Sequence, residues 1–243
     1  MSAPRSQSTL LGSLLLGFWI FAGLAALGAL ISNGALRFRE YERVVTVKGL
    51  AEREMPADVV LWPIQFNAAD NDIGAVYEKL EVDSQRIREY LLEAGVQADE
   101  INSSPPRVTD KLAQAYGNST RIALRYSATQ TLTVYSRHVE RVRSALAGLG
   151  VLGKSGIAFM AEDYQHQTQY IFTRLNEVKP AMVEEATRNA RSVALKFAED
   201  SESQLGKIKR ANQGHFSITS RDSQTPHIKK VRVVSTIEYY LSD

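Results

Sequence analysis

The residues that most closely match a known chemical pattern are the eight from Gly148 to Ser155, which fit the phosphate-loop pattern G-x-x-x-x-G-K-[ST]. The glycines among them also satisfy the dinucleotide pattern G-x-G-x-x-G. Both patterns bind phosphate because backbone N–H groups at the start of a helix follow directly after a strand. Here the apolar spacing predicts the reverse order, a helix that ends near Leu149 and a strand that begins near Ile157. We therefore interpret the segment as the end of a helix and a turn, in which glycine supplies positive φ angles.

The four histidines do not have the spacing of a metal site. They are His138, His166, His215 and His227, and no pair fits the H-x₃₋₅-H spacing that is typical of zinc ligands. The chain contains no cysteine, which excludes disulfides, thiolate catalysis and cysteine ligands. The sequence therefore predicts no metal-binding residue and no cofactor, and it places the histidines at ordinary surface or strand positions.

Acidic residues form two groups that could perform acid–base chemistry. Glu52, Glu54 and Asp58 lie near a predicted turn, while Asp70 and Asp72 precede a predicted helix. Paired carboxylates act as acid and base only where burial separates their pKa values. Helix capping explains the second group, because anions stabilise helix N-termini. We therefore predict no catalytic residue.

One segment alternates polar and aromatic residues. Tyr164–Tyr170 reads Tyr-Gln-His-Gln-Thr-Gln-Tyr. It fits an exposed strand, a loop or a protein interface, where partly buried aromatic residues are common. The sequence leaves these alternatives open.

The overall charge excludes an obvious nucleic-acid partner. The chain has 29 basic and 27 acidic residues, giving a net charge of +2. Nucleic-acid binding normally needs a clustered basic face. The 44% of hydrophobic residues is ordinary for a folded protein.

The N-terminal region predicts a membrane-spanning helix. No charged residue occurs between Arg5 and Arg37, and Leu10–Ile31 is a 22-residue apolar run with one serine. Such a helix would be roughly 33 Å long, which matches the hydrocarbon core of a bilayer. A cleaved signal peptide is the alternative, with Ala26-Leu27-Gly28 as its processing site, but the apolar run continues past that site. We therefore favour an uncleaved signal anchor.

This anchor divides the chain into four predicted parts: an N-terminal tail (1–9), a transmembrane helix (10–31), a juxtamembrane linker (32–43) and an α+β domain (44–243). Three arginines between residues 37 and 43 follow the helix, so a simple positive-inside count would keep the domain in the cytoplasm. Long domains, however, are translocated largely regardless of nearby charge. We expect a single-pass inner-membrane protein with its domain in the periplasm.

The apolar spacing within the domain predicts about seven strands and three helices, in an α+β fold with mostly antiparallel sheet. The clearest strand alternates between Tyr126 and Tyr135. Pro63 interrupts another alternating run, which favours an edge or a bulge there. Pro180 is predicted to open the last helix, and two long strands joined through Arg221–Pro226 are predicted to end the chain. The predicted apolar helix stripes are Ile73, Val76, Tyr77, Leu80, Ile87 and Leu91; Val139, Val142, Leu146 and Leu149; and Met182, Val183, Ala186, Ala190, Val193, Ala194 and Phe197.

Several short motifs occur along the domain in the order found in one bacterial family. They are Val45–Ala51 with Pro56–Asp58, Ala94–Ile101, Arg125–Val134, and Met182–Ala198 with Leu205–Ile208. In this order they resemble the V-x-G-x-G … P-D opening, the A-G-V-x-x-x-x-I junction, the Y-x-A-x-x-x-L-x-V strand and the final helix with its L-G-K turn of the SIMPL-domain family. Two departures concern the opening: Ala51 replaces its second glycine, and Ala57 separates proline from aspartate.

The resemblance implies an α+β domain of two intertwined subdomains in an exported or membrane-anchored protein. Some SIMPL members are associated with oxidative-stress defence or antigenicity, and some form large ring-like homo-oligomers. The family has no established catalytic residues, so the resemblance assigns none here.

Three functional hypotheses follow. We favour a non-enzymatic, envelope-anchored protein that acts by self-assembly or protein interaction, with stress defence as the role that the resemblance implies. The alternatives are a module that binds a small ligand or peptide, and a nucleotide-dependent enzyme that would use Gly148–Ser155.

Overall fold

The computed structural model describes residues 16–31, 43–114, 123–160 and 166–242 of the chain. Its helices are α1 (16–31), α2 (Ile73–Glu93), α3 (Lys111–Gln114), α4 (Val139–Gly148), α5 (Gly150–Lys154) and α6 (Leu175–Asp200), with a 3₁₀ turn at Ala98–Glu100. Its strands are β1 (Val44–Pro56), β2 (Val59–Asp70), β3 (Ile101–Ser103), β4 (Arg107–Asp110), β5 (Tyr126–Ser136), β6 (Ala158–Phe159), β7 (Gln169–Ile171), β8 (Gln204–Gln213), β9 (Ser217–Ser220) and β10 (Ile228–Ser242). The predicted α+β class with antiparallel sheets is confirmed. The three long helices of the domain are present, whereas α3, α5 and several short strands were not predicted.

The N-terminal prediction is only partly covered by the described residues. Residues 16–31 are helical, as expected, while residues 1–15 and 32–42 lie outside the described part of the chain. Among the helices that are described, none is both long enough and apolar enough to cross a membrane.

The chain divides into two compact units, each built from separate segments. Unit 1 contains β1 as far as Ala51, residues Ala181–Phe216 and the chain from Val233 onward. Unit 2 contains Glu52–Pro180 and Ser217–Arg232.

Unit 2 is built on a six-stranded antiparallel sheet with the order β3-β5-β2-β6, in which β4 also pairs with β5 and β7 with β2. The alternation that predicted β2 and β5 corresponds to one buried face, which contains Trp62, Phe66 and Leu132. Helix α2 packs on β2 and β5, and α4 packs on β2. The period-2 and period-3.6 patterns of the sequence therefore meet in one core.

Pro63 does not lie on an edge strand, since β2 is internal to the sheet. It pairs with Thr133 on the β5 side. On the other side, β7 pairs with residues 59–61 and β6 with residues 66–67. Among the described residues, no strand therefore lies beside Pro63 on that side. A residue without an N–H group is tolerated in such a gap.

The predicted apolar stripe of α2 is partly wrong. Ile73 and Tyr77 are exposed, whereas Asp83 is buried with 1% of its surface accessible. The buried face follows Val76, Leu80, residue 83, Ile87 and Leu91, which is the regular spacing of one helix face. Asp83 occupies that face because of its position in the period, although its side chain is acidic.

Unit 1 is built on β1, β10 and β8 in that order, with α6 packed on one face through a row of alanines. Gly49 of β1 lies directly beneath this row. A Cβ atom at position 49 would be 1.8 Å from the carbonyl oxygen of Ala186 and 2.9 Å from the Cβ atom of Ala190. The helix and the strand therefore approach so closely that only glycine fits between them.

Two predictions for α6 are corrected by this packing. The helix begins at Leu175, so Pro180 lies inside it and does not open it. The buried residues are Met182 and the alanines at positions 186, 190, 194 and 198, while Val193 and Phe197 are 41% and 55% exposed. A helix that approaches the sheet through alanines leaves its larger neighbouring side chains at the rim.

The C-terminal strands also differ from the prediction. Two long strands were predicted at the end of the chain. β10 is 15 residues long and confirms one of them, but β9 has only four residues. The L-G-K segment, predicted as a turn after the last helix, lies within β8. The strand predicted at Ile157–Met160 is reduced to the two residues of β6.

Candidate functional site

Strand β8 is open along one edge. It pairs antiparallel with β10, from Gln204 opposite Ser242 to Gln213 opposite Ser235. It stands at the end of the order β1-β10-β8, and no strand in the described part of the chain pairs with its outer edge. Nine of its ten residues are exposed. Such an edge presents unpaired N–H and C=O groups that can receive another strand.

The apolar face of unit 1 continues to this open edge. Ile208 lies opposite Tyr239, and directly opposite residues in an antiparallel pair share a face. Tyr239 is 2% exposed, but Ile208 is 48% exposed. The register shifts on either side of Tyr239, so the strand is irregular here. The edge therefore offers apolar surface beside its free backbone groups.

Basic side chains give the same strand a positive charge. Three exposed basic residues lie within four positions of β8: Lys207, Lys209 and Arg210. Lys209 Nζ lies 3.5 Å from a carboxylate oxygen of Glu238 and 5.8 Å from the centre of the Tyr240 ring. Lysines on an edge strand oppose indiscriminate pairing. Two β8 strands set side by side would place like charges together, which is unfavourable.

Strand β1 forms the opposite end of the same sheet. Within unit 1 it runs from Val44 to Ala51. No strand in the described residues pairs with its outer edge. Unit 1 thus has two open edges, one on each side of β10.

The segment that matches the phosphate-loop pattern is mostly helical. Gly148 ends α4, residues 150–154 form α5, and Ser155 follows as its C-terminal cap. The amides of Leu152 and Ser155 donate to the carbonyl oxygens of residues 149 and 152. A phosphate loop needs such amides free and directed at the ligand. The predicted order of a helix before the motif is confirmed, and the predicted turn is instead a short helix.

Packing explains the first glycine of this segment. A Cβ atom at position 148 would lie 2.4 Å from the hydroxyl oxygen of Tyr90. That hydroxyl donates to the carbonyl oxygen of Ala145 at 2.6 Å, and burial raises its pKa. Gly150 and Gly153, by contrast, have open space where a Cβ would be placed. Gly148 therefore allows α2 and α4 to pack closely.

The histidines occupy separate environments. Their surroundings differ. His138 Nδ1 lies 3.4 Å from Glu100, and His166 Nε2 lies 3.5 Å from Gln65. The ring of His227 lies 6.0 Å from that of Tyr170, and His215 is exposed. Burial, followed by the charge of Arg143, lowers the pKa of His227. Among the described residues, no three histidine, aspartate or glutamate side chains come together as a metal site would require.

The first acidic group forms ion pairs. Each carboxylate has its own basic partner: Glu52 lies 3.2 Å from Lys230, Glu54 lies 3.4 Å from Arg221, and Asp58 lies 3.4 Å from Arg174. Asp222, which follows Arg221, has a pKa held well below its usual range by hydrogen bonds from Thr225 and Arg221. These pairs fix strands and turns: Glu52, Glu54 and Asp58 each have a different basic partner, and Arg221 joins Glu54 to Asp222.

The second acidic group caps α2, as predicted. Asp72 accepts a hydrogen bond from the amide of Ala75 at 2.9 Å. Asp70 accepts from the amides of Asn71 and Asp72. Asp72 therefore satisfies an amide in the first turn of the helix, and Asp70 satisfies those of the two residues before it.

The aromatic and polar segment Tyr164–Tyr170 is described only from residue 166 onward, where β7 begins at Gln169. His166 lines a cleft of about 610 Å³ together with Gln65, Thr129, Thr131 and Met160. Most of these residues belong to β2 and β5, on the side of the sheet away from its buried core.

Sequence reasoning missed β8 as a strand. Its residues are exposed on both faces, so no apolar alternation appears, and the irregular register spaces its few apolar residues by three. The strand becomes recognisable only through its pairing with β10.

A comparison with protein families matches residues 45–236 to SIMPL, described as a protein of unknown function (DUF541). The chain belongs to the SIMPL family. This match confirms the resemblance and spans both units of the SIMPL domain, including β8 and Asp58. SIMPL is not a known enzyme family, which is consistent with a non-enzymatic protein. Among curated proteins, no sequence matches the chain.

Proposed function

We propose that this SIMPL protein is a non-enzymatic, envelope-anchored interaction protein that assembles with copies of itself through the open edges of unit 1. The observation that carries the proposal is β8, a ten-residue strand that is exposed and paired on one side only in the described chain. A strand added there continues the sheet through backbone hydrogen bonds.

The favoured partner for β8 is β1 of a second copy. Pairing of β8 with β8 would oppose Lys207, Lys209 and Arg210 with the same residues of the neighbour. Pairing of β8 with β1 sets these residues against a strand that has a single base, Lys48, between Val44 and Ala51, and it leaves the opposite edges free. Such a head-to-tail contact repeats until it closes into a ring or continues as a filament.

Membrane attachment strengthens a contact of this kind. Ten residues of added strand would form roughly ten backbone hydrogen bonds, each with a net value of about 0.5–1.5 kcal/mol. Association costs about 4–15 kcal/mol in lost freedom. The edge alone is therefore a weak contact, and confinement of all copies to one surface raises their effective concentration.

The support for an anchor comes from α1 and the sequence around it. The leucine, isoleucine, phenylalanine and tryptophan side chains of residues 16–31 are exposed. They continue a run without charge from Arg5 to Arg37. Apolar side chains exposed around a helix are favourable in lipid. We further propose an inner-membrane location with the domain in the periplasm. We also propose a role in stress defence, which depends on the family resemblance alone.

The pairing can be tested by disulfide cross-linking, since the chain has no cysteine of its own. We would place single cysteines by Lys207→Cys in β8 and Lys48→Cys in β1, and mix the two full-length variants under mild oxidation. The proposal expects a cross-linked dimer in the mixture and little in Lys207→Cys alone.

Lys154→Cys, at an exposed position of α5 in unit 2, is the matched control. Equal cross-linking of Lys154→Cys with Lys48→Cys would mean that the edges do not meet. A strong dimer of Lys207→Cys with itself would replace the head-to-tail contact by a symmetric one. A monomer by sedimentation at all concentrations in membranes or detergent would overturn the assembly.

A further inference from the structure

A second surface, in unit 2, is a cleft with an unbalanced positive charge. Its volume is about 460 Å³, and it is lined by Pro56–Asp58, Arg137–Arg141 and Arg174. Strand pairing brings these segments together, because Val60 at the start of β2 lies opposite Ser136 at the end of β5, and Val59 lies opposite Ile171 of β7. Three chain segments therefore meet at one end of the sheet.

Asp58 does not balance the positive charge of this cleft, because its carboxylate already has partners of its own. Its two carboxylate oxygens accept hydrogen bonds from the amide and the hydroxyl of Thr173, both at 2.7 Å. Arg174 Nε lies 3.4 Å away. Burial raises the pKa of Asp58, but these hydrogen bonds and the charge of Arg174 outweigh it and lower the pKa below its ordinary value. Asp58 and Arg174 therefore neutralise each other.

Glu140, the second acid of the lining, is neutralised in the same way. Both of its oxygens accept hydrogen bonds from Arg143 Nη1, at 2.9 and 2.7 Å. Arg143 does not belong to the lining. The Glu140 side chain is also 78% exposed, so water screens its remaining charge.

Two guanidinium groups of the lining form no ion pair with any residue that the structure describes. Arg141 Nη1 donates to the carbonyl oxygen of Gly95 at 3.0 Å, which orients the side chain but leaves its charge unbalanced. Arg137 is exposed, and among the described residues it forms no ion pair. An arginine fork forms its strongest hydrogen bonds with carboxylate or phosphate oxygens.

We propose that this cleft binds the phosphate group of a small phosphorylated molecule between Arg137 and Arg141. A phosphate monoester carries a charge close to −2 near neutral pH, which matches the two unbalanced arginines, and its oxygens can accept from both forks. The first turn of α4 forms part of the same wall, and the positive end of the helix dipole adds to the attraction. The volume leaves room for the group that carries the phosphate.

Binding can be measured by calorimetry on the full-length chain in a non-ionic detergent, with inorganic phosphate as the first probe and acetate at equal ionic strength as the comparison. Arg137→Gln is the principal variant, since the Arg137 side chain forms no hydrogen bond or ion pair with the described residues. Arg141→Gln is the second variant. Arg86→Gln, at an exposed position of α2 in the same unit, is the matched control for loss of one charge.

The expected result is saturable phosphate binding that exceeds acetate binding, weakens as salt is raised, and becomes about tenfold weaker in either cleft variant. The Arg86→Gln control should bind as the native chain does. Absence of saturable phosphate binding, or equal weakening in Arg86→Gln and Arg137→Gln, would overturn the proposal.

The phosphate group that binds could belong to a soluble metabolite or to a lipid head group. Glycerol phosphate and vesicles that contain phosphatidic acid separate these sources. Arginine-dependent binding of either supports the site, and the tighter of the two identifies its source. Binding of neither would contradict the inference even if inorganic phosphate bound.

Discussion

The two units of this SIMPL domain form their cores in opposite ways. In unit 1, α6 meets β1 through alanines over Gly49, so the contact is between backbones. In unit 2, large side chains such as Trp62, Phe66 and Leu80 fill the space between the sheet and its helices. A close backbone contact depends on the absence of side-chain atoms, whereas a packed side-chain core depends on their fit.

This difference affects the surfaces that each unit offers. Unit 2 is built on a six-stranded sheet and contains both of the clefts described above. Unit 1 is three strands wide, both of its outer strands are open in the described chain, and Val193 and Phe197 of α6 lie at its rim. This difference is the reason that we propose strand-mediated assembly for unit 1 and ligand binding for unit 2.

The largest effect is expected where the backbones touch. Gly49→Ala would place a Cβ atom 1.8 Å from Ala186 O and 2.5 Å from Ala190 N, neither of which can move independently. We expect a loss of more than about 3 kcal/mol in the free energy of unfolding. Gly206→Ala is the control in the same sheet, since its nearest contact is 3.1 Å and it lies on open β8. Equal losses in urea denaturation would contradict the close packing of α6.

A smaller loss is expected at the helix contact of unit 2. Gly148→Ala should cost about 2 kcal/mol because the new methyl group meets the Tyr90 hydroxyl. The cost should fall in a Tyr90→Phe background, which a double-mutant cycle would measure. Gly153→Ala has open space and should be neutral or slightly stabilising. A nucleotide-binding loop would instead require Gly153, so loss of nucleotide binding in that variant would revive the enzyme hypothesis.

Asp58 should make the stability of unit 2 depend on pH. Because its folded-state pKa lies below the unfolded value, its contribution is fully present above about pH 4 and is lost as the pH falls through the folded-state pKa. We expect Asp58→Asn to cost about 1–2 kcal/mol at neutral pH. Thermal unfolding across the acid range should show this gap closing. A gap that persists unchanged at the lowest pH would show that the charge of Asp58 is not responsible.

The smallest effects separate a half-buried tyrosine of unit 2 from a buried tyrosine of unit 1. Tyr90→Phe removes a hydroxyl that donates to Ala145 O, and should cost about 1 kcal/mol. Tyr239→Phe, in unit 1, removes a hydroxyl that has no partner among the described residues, and should be neutral or stabilising by up to about 1 kcal/mol. If Tyr239→Phe is the more damaging change, the core of unit 1 contains a polar contact that this packing does not explain.

The sequence predicted those elements in which one face is buried. Strands β2 and β5 alternate, and α2 and α4 follow the helical period, because burial requires it. It could not predict β8, whose faces are both exposed, or the burial of Asp83, whose place in the helix period conflicts with its acidic side chain. It also placed Val193 and Phe197 inside, since apolarity alone does not reveal that alanines bring α6 too close to the sheet for larger residues.

The candidate sites follow the same rule. Capping by Asp72 depends on local sequence and was predicted. The open edge and the cleft between Asp58 and Arg141 depend on contacts between distant segments, so neither leaves a pattern in the chain.

Hydrogen exchange of the β8 amides, followed as the concentration of full-length protein increases, tests most directly whether this edge is where copies meet. If β1 of a neighbour pairs with β8, amides in Gln204–Gln213 should become protected as oligomers form, while those of internal β5 remain protected throughout. If oligomers form and the β8 amides exchange at the same rate at every concentration, the open edge is not the site of assembly.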